Sequence, residues 1–162
     1  MAIVDYFLKI DGIDGESLAK KHEKEIEVES FSWGETQAGT AGQGGGQGAG
    51  RVSIQDFHLT KKVDKASANL ALACATGKHL KFATLTLRKA GGKQEDYLIY
   101  KMEDLLVSSY QIGGSAGSDI VPMEQLSLNF SKMAFTYKPQ KADGSFEGPV
   151  EAKYDFGARE KI

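Results

Sequence analysis

The side chains of this chain that could do chemistry are three histidines, one cysteine and dispersed serines and carboxylates, so their spacing decides what they can do. His22, His58 and His79 lie far apart. None belongs to a His-x-x-x-His or His-Glu-x-x-His pair, the spacing that sets two imidazoles on one helical face for zinc. His22 and His79 stand among lysines, in Lys20-Lys21-His22 and Lys78-His79-Leu80-Lys81, and are expected at the surface. His58 follows Phe57 on a strand pattern and faces the other way, toward solvent or a lumen. Cys74 lies in Leu70-Ala71-Leu72-Ala73-Cys74-Ala75 and reads as a small buried apolar residue, with no neighbouring charge to activate a thiolate. As the only cysteine it also excludes an intramolecular disulfide.

No Gly-x-Ser-x-Gly elbow occurs. Gly114-Ser115-Ala116-Gly117-Ser118 approaches one and reads better as a connection between strands. Glu95-Asp96 and Glu103-Asp104 are adjacent on strand patterns, so their carboxylates diverge. The chain is read as a non-enzyme, with no metal and no cofactor.

Residues 38–50 form an extended glycine-rich loop, with Gly39, Gly42, Gly44, Gly45, Gly46, Gly48 and Gly50 separated only by Thr, Ala and Gln. A phosphate cradle would need Gly-Lys followed by Ser or Thr and an opening helix, but Gly50 is followed by Arg51-Val52 and a strand pattern. No Gly-x-Gly-x-x-Gly spacing can be completed within the segment. Two roles remain: an insertion without function, or an arm that orders against a neighbouring subunit.

Composition narrows the function classes further. At 162 residues the chain is one domain, 1–162, and 41% apolar with 26% charged residues is a globular balance. A net charge of −2, with basic residues dispersed among acidic ones, argues against nucleic acid or an anionic membrane as partner. No window approaches the ~20 apolar residues of a membrane-spanning helix. Met1-Ala2-Ile3-Val4-Asp5-Tyr6 lacks the basic lead and apolar core of a secretory signal, so a start in the cytoplasm and export without a cleaved leader are expected.

The elements that must position these residues are mostly strands. Ile3 to Ile10 closes on Asp11-Gly12, and further candidates are Phe82 to Lys89, Tyr97 to Met102, Leu105 to Ile112 and, weakly, Val150 to Phe156. Three patterns change phase midway: Ile26 and Val28 give way to Phe31 and Trp33, Val52 and Ile54 to Phe57 and Leu59, and Leu126, Leu128 and Phe130 to Met133, Phe135 and Tyr137. Such shifts mean bulges or sharp bends, as in a small closed barrel or an orthogonal sandwich. One helix is expected at about 65–76, capped by Asp64 or Ser67 and ended by Gly77.

Several strands, Tyr97 to Met102 among them, are apolar on both faces, and one helix cannot cover them all. A subunit interface is expected. A monomeric β-sandwich module binding a carbohydrate or peptide through Trp33 and the tyrosines, and a small hydrolase, are the alternatives.

Several segments in order resemble the haemolysin-coregulated protein (Hcp) family, the tube protein of bacterial type VI secretion. They are Asp14-Gly15-Glu16-Ser17 with His22, Glu27-Val28 leading to Phe31-Ser32-Trp33-Gly34, Phe57-x-Leu59-Thr60-Lys61, Val63-Asp64-Lys65-x-Ser67-x-x-Leu70, and Ala73-Cys74-Ala75-x-Gly77-Lys78. Arg88-Lys89-Ala90-Gly91-Gly92, Leu106-Val107-Ser108-Ser109 and Tyr137-x-Pro139-Gln140 with Gly144 continue the series. The resemblance implies a mainly β fold, two packed sheets closing into a small phage tail-tube-like barrel with one flanking helix. It implies homo-hexameric rings that stack into a secreted tube, with spike, sheath and baseplate proteins as partners and small effector proteins carried in the lumen. It places Ser32 near the lumen wall and the loop Gly39–Gly50 at contacts between subunits. Some family members carry a C-terminal toxin domain, for which no room is expected after the last strand.

Overall fold

The computed structural model describes residues 3–38, 51–89, 94–117 and 120–162. In chain order the elements are β1 (Val4–Ile10), β2 (Ile26–Val28), β3 (Ser30–Ser32), β4 (Glu35–Gln37), β5 (Val52–Ile54), β6 (Phe57–Lys62), α1 (Ser67–Thr76), β7 (Leu80–Lys89), β8 (Asp96–Gly113), β9 (Met123–Tyr137), β10 (Val150–Asp155) and β11 (Glu160–Lys161). A nine-stranded sheet carries the path β11-β10-β9-β8-β7-β1-β2, and β4 with β5 makes a separate two-stranded sheet. All pairings are antiparallel. The fold is mainly β, with two sheets and one helix among the described residues, in keeping with the strand patterns and the lone helical pattern.

The long β8–β9 ribbon is the frame. Along one edge of β9, β6 pairs residues 123–128 and β10 pairs residues 132–137. β3 adds to β6. β2 adds to β1, and the Glu29 N–H between β2 and β3 donates to Thr60 O at 2.8 Å, so the pairing path returns to β6.

Each phase change has a local cause. The first is a kink at Glu29, across which the chain leaves β1 for β6. At the second the chain changes sheets, because Val52 and Ile54 pair with β4 while Phe57 and Leu59 lie in the large sheet. The third lies within an unbroken strand. Between the pairs Glu103↔Lys132 and Leu105↔Phe130, Asp104 adopts φ 52°, and the buried set on β8 passes from Met102 to Leu105 as that on β9 passes from Met133 to Phe130. Tyr97 to Met102 and Leu105 to Ile112, expected as two strands, are therefore one. β11 was not expected; two residues carry too short a pattern to recognise.

α1 begins two residues later than expected. Ala66 holds the N-cap position without a side-chain cap, while Asp64 Oδ1 accepts the Ala66 N–H and Ser67 Oγ accepts the Asp64 N–H, each at 2.9 Å. Both expected caps therefore serve the turn before the helix. At the other end Gly77 takes φ 62°, and the Lys78 N–H closes on Ala73 O at 3.1 Å. Leu70 and Ala73 bury against β8, with Cys74 partly buried beside them. Between the strands Leu8, Ile26, Phe57, Leu59, Leu85, Met102, Leu126 and Leu128 are fully enclosed, each worth about 1.5–3 kcal/mol of burial. Phe31, Phe57, Tyr100 and Phe135 form an aromatic run with neighbouring centroids 4.8–5.7 Å apart.

Candidate functional site

On β3, Phe31 turns inward and Ser30 and Ser32 turn out, so alternation alone exposes Ser32. The register extends its position into a row. Ser32 lies opposite His58, His58 opposite Ser127, and Ser127 opposite Ser109. Two residues along, Ser30, Thr60, Gln125 and Gln111 align in the same way. A bulge between Val107 and Ser109 brings Ser109 onto this face, and the displaced Ser108 donates to Asp56 at 2.7 Å. Ser30 and Thr60 share a hydroxyl hydrogen bond, and Ser109 and Ser127 share another at 2.6 Å. Ser32, His58, Gln111 and Gln125 make no side-chain hydrogen bond among the described residues, and all four are exposed. A hollow of about 210 Å³ opens over His58, Thr60, Ser109, Gln111 and Gln125.

His22 is not at the surface. The segment after β1 folds into a clasp: Gly15 N–H donates to Lys24 O at 2.7 Å, Ser17 N–H to Glu25 O at 3.0 Å, and Lys24 N–H to Ser17 O at 2.8 Å. A Cβ on Gly15 would meet Glu25 O at 2.5 Å, so only glycine fits this close approach. The clasp lays His22, 6% exposed, flat on Phe7, with ring centroids 4.5 Å apart. Its Nδ1 meets Glu25 and its Nε2 meets Asp96, each at 2.9 Å. The two carboxylates sit on opposite edges of the ring and cannot converge on one ion, so this is a latch and not a metal site. The neighbouring lysines misled because they follow the loop outward, while the histidine is fixed by Phe7 beneath it. His79 is exposed, 3.6 Å from Asp104.

A second polar cluster sits under the start of α1. Lys61 and Glu124 are both fully buried, with Nζ to Oε1 at 2.5 Å, and Lys61 also reaches Asp64 at 2.9 Å and Lys62 O at 3.0 Å. Ser67 donates to Glu124 at 2.6 Å, and Tyr110 donates to its other oxygen. Burial alone would raise the Glu124 pKa, but the hydrogen bonds from Lys61, Ser67 and Tyr110 together hold it below the usual carboxylate range. Burial first, then the Glu124 hydrogen bond and charge, push the Tyr110 phenol up to about 12. The sequence carried a signal for this pair. Lys61 shares parity with Phe57 and Leu59, and Glu124 shares parity with Leu126 and Leu128, so opposite charges fall on two inward faces.

Two further surfaces stand out. An aromatic cleft of about 570 Å³ runs between Trp33, Tyr100, Phe135, Tyr154 and Phe156, and the buried Trp33 Nε1 has no hydrogen-bond partner among the described residues. At the far end of the β8–β9 ribbon, Ile112, Val121 and Met123 are exposed. The glycine-rich loop Gly39–Gly50 lies outside the described residues, apart from its flank: β4 and β5 bring residues 37 and 52 into a cross-strand pair. No helix among the described residues is long and apolar enough to cross a membrane.

The family model described as type VI secretion system effector, Hcp, matches residues 7–137. The chain is 47% identical over 161 residues to protein hcp1 of Pseudomonas aeruginosa, covering 98% of each. Among solved structures it resembles Hcp1 from Salmonella typhimurium, with 38% identity, TM-score 0.80 and full coverage of both chains. A structure described as a type six secretion system protein matches with TM-score 0.92 at 30% identity, over 99% of this chain and 100% of the other.

Proposed function

The chain belongs to the Hcp family of type VI secretion proteins, and on that premise we propose that it is a structural subunit of the inner tube. In this reading it forms homo-hexameric rings that stack, meets the spike, sheath and baseplate proteins of the apparatus, and carries small effector proteins in the lumen. It starts in the bacterial cytoplasm and leaves without a cleaved leader. Ser32 faces the lumen, and the loop bearing Gly39, Gly42, Gly44, Gly45, Gly46, Gly48 and Gly50 contacts neighbouring subunits. No catalytic step and no cofactor are assigned.

The observation that supports it most directly is the polar face around Ser32, exposed at Ser32, His58, Gln111 and Gln125 and free of the charged side chains found on the rest of the ribbon. Heterologous contacts that close into a ring enclose one face of each subunit, and this reading assigns the Ser32 face to the enclosed side. Electron microscopy of the purified protein, with sedimentation at matched concentration, tests the reading. Six-fold rings are the expected result; isolated 17.5 kDa particles at high concentration would sink it.

The aromatic cleft favours a second reading, a monomeric module holding a carbohydrate or peptide against Trp33. A monomer that binds glycans or peptides, with binding lost in Trp33→Ala, would select it.

A further inference from the structure

His22 lies between two carboxylates, with Nδ1 2.9 Å from Glu25 Oε2 and Nε2 2.9 Å from Asp96 Oδ1. A neutral imidazole has one N–H and one bare lone pair, whereas an ionised carboxylate only accepts. With one ring proton, one of the two contacts would set a lone pair against a carboxylate oxygen. With two, both nitrogens donate and both contacts become hydrogen bonds. The surrounding charges act in the same direction. On β7 Arg88 is buried, its guanidinium 4.9 Å from the Phe7 ring centroid and its Nη1 donating to Lys20 O at 2.9 Å. Asp5 on β1 and Asp96 on β8 both lie opposite Arg88 in the register. Lys20, Lys21, Glu23 and Lys24 of the clasp are exposed to solvent, which screens them. The carboxylates of Asp5, Glu25 and Asp96 therefore meet one buried guanidinium at this corner, and a charged imidazole supplies a second cation.

We propose that the clasp is a proton-keyed catch, in which doubly protonated His22 ties residues 14–25 to β8 and loss of its proton frees them. The backbone hydrogen bonds from Gly15 to Glu25 close within the segment itself. Its polar side-chain ties to the sheet, among the described residues, are Arg88 to Lys20 O and His22 to Asp96, the latter across 74 residues. The two carboxylates are not equally placed. The Glu25 side chain is 12% exposed and that of Asp96 is 32% exposed, so Asp96 is the one that turns to water when only one bond can be kept. The closed clasp binds one proton more than the open one. Its closure is therefore whole while the imidazole is charged and is lost as pH rises. The segment carries Leu18, an apolar side chain 92% exposed, so the catch decides whether that side chain is presented in a fixed place.

The test is amide hydrogen exchange of the full-length protein, read by mass spectrometry on peptides covering residues 14–25 and corrected for intrinsic exchange rates. It is run at about pH 6 and about pH 9, on either side of the ordinary imidazole range, with peptides of the β8–β9 ribbon as internal reference. Protection of the wild-type clasp is expected to fall at least about fivefold from the lower to the higher pH while the ribbon is unchanged. In Asp96→Asn the carboxamide can donate to a bare Nε2, so the fall should shrink to less than about twofold. His22→Gln should be loose at both values. That variant also loses the stack on Phe7, so Asp96→Asn carries the decision. Equal wild-type protection at the two values, or a rise with pH, overturns the proposal. So does an undiminished fall in Asp96→Asn or in His22→Gln.

Discussion

Gly15 shows how a single residue type can be required. Its Cβ position is occupied by the backbone of Glu25 and Ile26, neither of which is the end of a flexible side chain. Gly15→Ala is therefore expected to cost about 1–3 kcal/mol in urea unfolding, and to loosen His22 from Phe7 with a change in its ring NMR shifts. Lys61 and Glu124 make the opposite case, two fully buried charges that hold each other. Glu124→Gln leaves the buried ammonium with Asp64 as its remaining counter-charge and should cost about 2–4 kcal/mol, whereas Lys61→Met with Glu124→Leu should cost less than either single change. A double variant as unstable as the sum would deny the coupling. Two titrations bound this cluster. Glu124 is lowered in the fold, so its contribution is whole above the ordinary carboxylate pKa and is lost as pH falls through the lowered value. Tyr110 is raised, so its contribution is whole below pH 10 and is lost as pH climbs toward about 12. The last phenolate absorbance to appear on alkaline titration should vanish in Tyr110→Phe. At this scale the sequence revealed parity but not partners: Ser32 and His58 face outward as alternation requires, while the burial of His22 depends on Asp96, which no local pattern connects to it.

Among the elements, the strands were legible wherever apolar residues alternate, and so was the helix, because Gly77 and the alanine spacing mark it. The phase changes were also visible, but one signal has three physical origins here: a kink at Glu29, a change of sheet after Ile54, and a coil within β8 and β9. Only pairing distinguishes them, and pairing is non-local. The coil turns on Asp104, whose φ of 52° suits Gly, Asn or Asp. Asp104→Gly should leave stability within about 1 kcal/mol of the parent, while Asp104→Val should lose about 1–2 kcal/mol or more. Equal midpoints for the two in urea would remove the strain argument.

For the whole molecule, the fold class and the family could be reached from ordered motifs, but composition and patterning cannot count subunits, and apolar residues at the ribbon end only state that some surface is unfinished. Replacing Gly44-Gly45-Gly46 with bulky residues should impair ring stacking and leave thermal unfolding nearly unchanged; unaltered tubes in that variant would remove the role assigned to the loop. The β8–β9 ribbon also has a kinetic consequence. Its two strands are neighbours in sequence, whereas Lys61 must find Glu124 across 63 residues. Loop-closure entropy is therefore smaller for the ribbon than for the docking of β6 on β9, and β6 and β10 both need the edge that β9 offers. The order of folding follows: the ribbon nucleates, and the strand bearing His58 docks after it. Truncations within Leu126 to Phe130 should slow refolding, while those in β1 should mainly speed unfolding. The polar rows that run through Ser32 and Ser30, spanning all four strands, are among the last features of the fold to exist.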